Sequence, residues 1–173
     1  MSNKILVTYA SGTGWTTGVA EAIGRKLSES GLQVKVLPMR EVNDLSAYDA
    51  VVAGSGINNR AWLPEAMQFV RVNQAELNRK PFAAFLVCMT LAMRNGEQYR
   101  SFVETWIDPV RALVHPVSEG HFAGGLDISK IPSLSERLKF RLSVLFGAWK
   151  EGDHRNWKAI NSWADQLKPY LTA

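Results

Sequence analysis

Apolar residues along this chain recur at two spacings, and the switching between them predicts the architecture. Lys4 to Tyr9 (KILVTY) is a short, β-branched apolar run, the pattern of a strand buried on both faces. From Thr17 onward Val19, Ala20, Ile23 and Leu27 recur at helical spacing, with Glu21, Arg25 and Lys26 between them, and Gly31 stands where the helix should stop. Gln33 to Leu37, Ala50 to Gly54, Ala83 to Cys88 and the more polar Val117 to Phe122 read as four further strands. Pro64 to Arg79, Gly96 to Leu113 and Asn156 to Leu171 read as helices, the last with Ile160, Trp163, Leu167 and Leu171 on one stripe. Five strands with interposed helices predict an α/β fold with a doubly wound parallel sheet. Ligands of such sheets sit at the carboxyl ends of the strands.

The first of those ends carries the most specific chemistry. Ser11-Gly12-Thr13-Gly14-Trp15-Thr16-Thr17 lies between strand and helix. A helix N-terminus offers unpaired N–H groups and a partial positive charge, so an anion is its natural occupant. Glycines let the backbone approach a ligand, and the hydroxyls of Ser11, Thr13, Thr16 and Thr17 can each donate to a phosphate oxygen. A helix cap alone would need one hydroxyl, not four. A nucleoside triphosphate loop would need a lysine that does not follow Gly12 or Gly14 at the required spacing. A dinucleotide fingerprint fails too, because Gly12, Gly14 and Gly18 are one residue too widely spaced and the second strand ends in Pro38-Met39-Arg40 instead of an acid. Arg40 leaves a 2′-phosphate reading open.

Ser11-x-Thr13-Gly14-x-Thr16 after a first strand resembles the phosphate loop of flavodoxins, whose [ST]-x-T-G-x-T segment binds the monophosphate of FMN. The resemblance implies FMN as cofactor and a flavodoxin-like, three-layer, five-stranded parallel sheet of order 2-1-3-4-5, spanning residues 1–173 as one domain. It also implies that two more loops meet the flavin. Ser55, Gly56, Ile57 and Asn58 follow the third strand, and Trp62 is read either as a stacking surface for the ring or as a staple onto the next helix. Thr90, Leu91 and Ala92 follow the fourth strand, where backbone amides would meet the pyrimidine edge.

Composition narrows the class. The 173 residues are 46% hydrophobic, enough for one substantial core, and the lone Cys88 excludes an intramolecular disulfide. It closes an apolar run, so a buried structural thiol is expected, and a cytoplasmic location is the default. No signal-peptide pattern opens the chain and no apolar run approaches the ~20 residues of a membrane span. The three histidines and one cysteine lack metal-ligand spacing, so no metal is expected.

Charge separates this chain from shuttle flavodoxins, which are typically very acidic. The net charge is +4 and the pI near 9.3. Residues 130–158 hold seven basic side chains against three acidic ones, so this segment carries the whole excess. Within it, Leu134, Leu138, Leu142, Leu145 and Trp149 fall on one helical stripe flanked by Arg137, Lys139 and Arg141, with Phe140 and Val144 widening the apolar surface. This extra helix over 133–149 is read two ways: a core helix with a solvated basic face, or a helix lying on an anionic membrane, peripheral to its inner face. Nucleic acid is disfavoured, because the aromatics sit on the apolar face where packing uses them.

The phosphate loop, the "HFAGGLD" end of the fifth strand and the closing "EGDHRNWKAINSWADQL" together resemble the flavodoxin-like, menaquinone-dependent protoporphyrinogen oxidases. That resemblance implies electrons passing from a porphyrinogen through FMN to a quinone. The alternative is a non-catalytic electron-transfer flavodoxin that recognises a redox protein. No side chain stands out as an essential acid or base. His121 is the nearest candidate, read against a solvated loop histidine, while His115 and His154 are expected farther away.

Overall fold

The computed structural model describes residues 3–173; Met1 and Ser2, the start of the expected domain, lie outside the described residues. In chain order the elements are β1 (Lys4–Ala10), α1 (Trp15–Glu29), β2 (Gln33–Pro38), β3 (Ala50–Asn58), β4 (Ala61–Trp62), α2 (Pro64–Val72), α3 (Gln74–Leu77), β5 (Phe82–Cys88), α4 (Arg100–Glu104), α5 (Asp108–Arg111), β6 (Ser118–Ala123), β7 (Gly125–Leu126), α6 (Leu134–Leu145), β8 (Gly152–Asp153) and α7 (Trp157–Leu171). Five parallel strands run in the order β2-β1-β3-β5-β6, the expected 2-1-3-4-5 once the two-residue β4 is set aside. β4 turns back antiparallel onto the end of β3.

The pleat sends alternate residues of each strand to opposite layers, as a sheet covered on both faces requires. Leu6, Val51, Phe82 and Leu86 pack with Phe69 and Val70 of α2, Val103 of α4 and Val110 of α5. Ile5, Val7, Val52 and Phe85 pack with Ile23 and Leu27 of α1 and Ile160 and Leu167 of α7. β5 is buried along its whole length. Parallel register brings Ala10 beside Ser55, Gly56 beside Val87 and Cys88 beside Ala123, so the loops after these strands open along one edge.

Three expectations change. The helix expected over Gly96 to Leu113 is a broken path, with 3-10 turns at Gly96–Tyr99 and Thr105–Ile107 around the short α4 and α5. Pro109 has no N–H to continue an α-helical ladder, and Trp106 and Ile107 both turn inward, at 8% and 0% exposed. The Pro64 to Arg79 helix is interrupted at Asn73, whose side-chain amide donates to the Phe69 carbonyl alongside its own backbone N–H. The third strand runs four residues beyond Gly54, because the β4 hairpin extends its pairing.

A second, two-stranded sheet pairs β7 with β8, Gly125 with Asp153 and Leu126 with Gly152. It brings the closing sequence motif back to the loop edge. α6 differs from every other long helix: none of its residues is buried, with Leu134 77%, Leu138 60%, Leu142 47% and Leu145 77% exposed. The core-helix reading of this segment is therefore overturned.

Candidate functional site

Gly14 caps α1 in the left-handed region, φ +90°, a conformation that glycine adopts without a Cβ penalty. No side chain caps the helix, so the first-turn amides of Trp15, Thr16 and Thr17 are available to a ligand. Ser11 folds the loop instead: its Oγ accepts a 2.9 Å hydrogen bond from Gly14 N. Thr16 is 2% exposed, and a Cβ at Gly56 would lie 3.2 Å from its Oγ1, so the second loop closes on the first as tightly as glycine allows. The loops surround a cleft of about 240 Å3 walled by Ser11, Gly12, Thr13, Trp15 and Thr16, by Gly56, Ile57, Asn58 and Leu63, and by Val87 to Met89 with Gly124 and Gly125.

Ten predicted positions divide as follows. Ser11, Gly12, Thr13, Trp15, Thr16, Gly56, Ile57 and Asn58 line the cleft, and Gly14 and Thr17 shape or continue the helix N-terminus behind it. The remaining residues do not face this cleft. Ser55 is fully buried, donating to the Gly56 carbonyl at 2.7 Å and accepting from Leu63 N at 2.9 Å, so it ties the second loop together. Trp62 is 3% exposed within the α2 core layer, its indole Nε1 lacking a partner among the described residues. Asn59 and Arg60, with φ +49° and +61°, form the mirror-type hairpin turn that sends Trp62 inward, so the staple reading replaces the stacking one. Leu91 is core, and Thr90 and Ala92 form a 3-10 turn that borders a second cleft.

That second cleft, about 590 Å3, lies between Ala92-Met93-Arg94 and the segment Val144 to His154, with Trp149 and Lys150 among its walls. It abuts the first. Ala92 N donates to Met89 O at 2.9 Å and His154 N donates to Gly124 O at 3.1 Å, so residues lining the two clefts are joined through backbone. His154, expected to be remote, therefore stands beside the site, its Nε2 2.6 Å from the Lys150 carbonyl. His121 does not: it sits mid-strand on β6, paired with Leu86, and faces Glu119 at 3.6 Å. Burial holds its pKa below the ordinary histidine value despite that carboxylate.

The structure supplies a link that sequence spacing concealed. Arg155 donates to the Trp15 carbonyl at 3.2 Å and stacks between the rings of Trp15, 4.9 Å away, and Trp157, 4.4 Å away. Asp153 holds the guanidinium by two bonds of 2.7 and 2.9 Å, and Arg155 in turn keeps that carboxyl below its usual pKa. On the other side Trp15 rests against Gly125, where a Cβ would stand 2.7 Å from the indole. With Arg155 paired to Asp153, the helix N-terminus adds its own unpaired positive potential at the loop. At the cleft floor, burial raises the Cys88 thiol to about 11, so it is protonated and inert near neutral pH.

The flavodoxin domain family is matched over residues 6–146. The chain belongs to the flavodoxin domain family. Solved flavodoxins share its fold: one from the domain Archaea at 19% identity, covering 95% of this chain and 99% of that one with TM-score 0.54. Oxidised flavodoxin 2 from Bacillus cereus is similar at 20% identity, covering 96% and 98% with TM-score 0.58. A short-chain flavodoxin associated with a non-canonical PDU bacterial microcompartment aligns at 15% identity over 99% and 100%, TM-score 0.60. No curated protein matches the sequence.

The cofactor of this flavodoxin domain is FMN, and the loop fits it. A phosphate needs donors, room and a favourable field. The uncapped helix N-terminus and hydroxyls supply the donors, and the space over Gly12 and Gly14 is free of other atoms within 4 Å of where a Cβ would stand. Among the described residues, no helix is long and apolar enough to cross a membrane.

Proposed function

We propose that this flavodoxin-domain protein is an FMN-dependent oxidoreductase of the protoporphyrinogen oxidase kind, passing electrons from a porphyrinogen-type substrate to a quinone. Bound FMN supplies the redox chemistry. Ser11, Thr13, Thr16 and the amides of Trp15 to Thr17 hold its phosphate, while Gly56 to Asn58 and Met89 wall the space beside it. The observation that carries the reading is the 590 Å3 cleft abutting the FMN site. Trp149, Met93 and Val144 give it apolar surface, and Arg94 and Lys150 make no ion pair among the described residues. An apolar molecule bearing carboxylates matches that combination. Each quinone reduced takes two electrons and two protons, and His154 is the side chain in the cleft suited to passing protons.

A second reading, an electron-transfer flavodoxin serving a redox protein, draws on a different observation: no carboxylate lines either cleft among the described residues. Electron transfer alone requires none. Anaerobic titration of the FMN-loaded protein with porphyrinogen and then menadione separates the two. Bleaching and recovery of the flavin absorbance at stoichiometric additions supports the oxidase; inertness toward both supports the protein partner. Thr16→Val tests the phosphate site independently. Loss of one charge-assisted hydrogen bond, about 1.5–3 kcal/mol, lowers FMN affinity by roughly one to two decades, measured by fluorescence titration.

A further inference from the structure

α6 turns its leucines the wrong way for packing. At 100° per residue Leu134, Leu145, Leu138 and Leu142 fall within one arc, continued by Phe146, and all five are exposed, Phe146 at 82%. The opposite side does the holding: Phe140 meets Trp149 edge-on at 6.1 Å, Arg137 donates to the Ile131 carbonyl, and Val144 lines the 590 Å3 cleft beneath the helix. Ser133 caps the N-terminus by accepting from Glu136 N, so the helix has a built start. An exposed stripe of four leucines and a phenylalanine on an ordered helix is a costly surface unless something covers it.

Charge identifies the cover. Lys139 borders the leucine arc on one side and Arg141 on the other, where long cationic side chains extend past an apolar layer to an anionic rim. Arg141 makes no ion pair among the described residues, and Lys139 pairs only with the exposed Glu136 at 3.2 Å. Residues 130–150 hold five cationic side chains against Glu136 alone. A second copy of this chain would set these cations against each other. We infer that α6 docks the protein on an anionic lipid surface, lying in the interface plane with Leu134, Leu138, Leu142, Leu145 and Phe146 among the acyl chains. The two terms act in different ranges: charge draws the protein in over a Debye length, and the leucines hold it on contact. The inference does not depend on which molecule exchanges electrons with FMN.

The test is co-sedimentation of the FMN-loaded protein with vesicles of phosphatidylcholine containing about 30% phosphatidylglycerol, and with phosphatidylcholine alone. Binding to the anionic vesicles, weakened by salt and lower on neutral ones, is expected. The exposed pair Leu138→Ser/Leu142→Ser lowers the partition coefficient at least about tenfold at every ionic strength. Lys139→Gln/Arg141→Gln lowers it several-fold at low salt and little at high salt. Circular dichroism and thermal melting confirm that both variants stay folded. Failure of the parent to bind anionic vesicles overturns the inference, as does equal binding by the leucine variant. So does a concentration-dependent dimer in sedimentation velocity that Leu138→Ser/Leu142→Ser dissolves, since the stripe would then face a second copy.

Discussion

α6 and α7 carry the same kind of apolar stripe and meet opposite fates. In α7, Ile160, Ala164, Leu167 and Leu171 are all at or below 1% exposed against α1 and the sheet, whereas in α6 no residue is buried. Periodicity therefore names the face that seeks cover, and only topology decides what covers it. α7 follows a short turn from β8, and its cap Asn156 accepts from Ala159 N at 3.0 Å, so the helix enters already aimed along α1. α6 hangs between β7 and β8, which pair with each other and leave the intervening chain to bulge outward.

Paired truncations sharpen that comparison most strongly. Leu167→Ala opens a cavity in the α1–α7 layer and costs about 2–5 kcal/mol in urea unfolding, while Leu138→Ala stays within about 0.5 kcal/mol. Comparable losses at both sites would mean that α6 is packed and would break the contrast. Arg155→Ala is next: removing the stacked guanidinium lowers stability by about 1–2 kcal/mol and weakens FMN binding through the freed Trp15, whereas Lys158→Ala does neither. Retained flavin affinity in the arginine variant would reduce the clamp to ordinary packing.

The smallest effect concerns acid. His121 is held neutral by burial, its folded pKa below its unfolded value of about 6.5. The unfolded chain then binds the proton first, so this residue costs nothing above that pH and stability falls as pH drops through and below it. His121→Gln flattens the part of the stability curve between about pH 7 and 5. An unchanged slope would assign the acid sensitivity elsewhere.

The sheet was legible because parallel strands bury both faces and write themselves as uninterrupted apolar runs, as Phe82–Cys88 does. The cleft-lining loop after β1 was legible because few other structures need glycines and four hydroxyls at a strand-to-helix turn. Trp62 was not. Its direction depends on two left-handed residues, Asn59 and Arg60, neither a glycine that would have advertised the turn. His154 and Arg155 were hidden for another reason: the β7–β8 pairing that delivers them to the loop edge is two residues long, too short to leave any periodicity.

The Arg155 clamp also bears on the order in which the molecule can be made. It joins residues 140 positions apart, and the helix packed over α1 begins just beyond it. At bacterial or eukaryotic synthesis speeds of about 5–20 residues per second, Trp15 waits roughly 7–28 s on the ribosome before its partner is polymerised. During that interval the phosphate loop lacks the stacked guanidinium and the apolar face of α1 lacks its α7 cover. A nascent chain arrested before Asp153 is therefore expected to exist as an apoprotein with an adhesive flank, and cofactor capture follows the synthesis of Arg155 and α7.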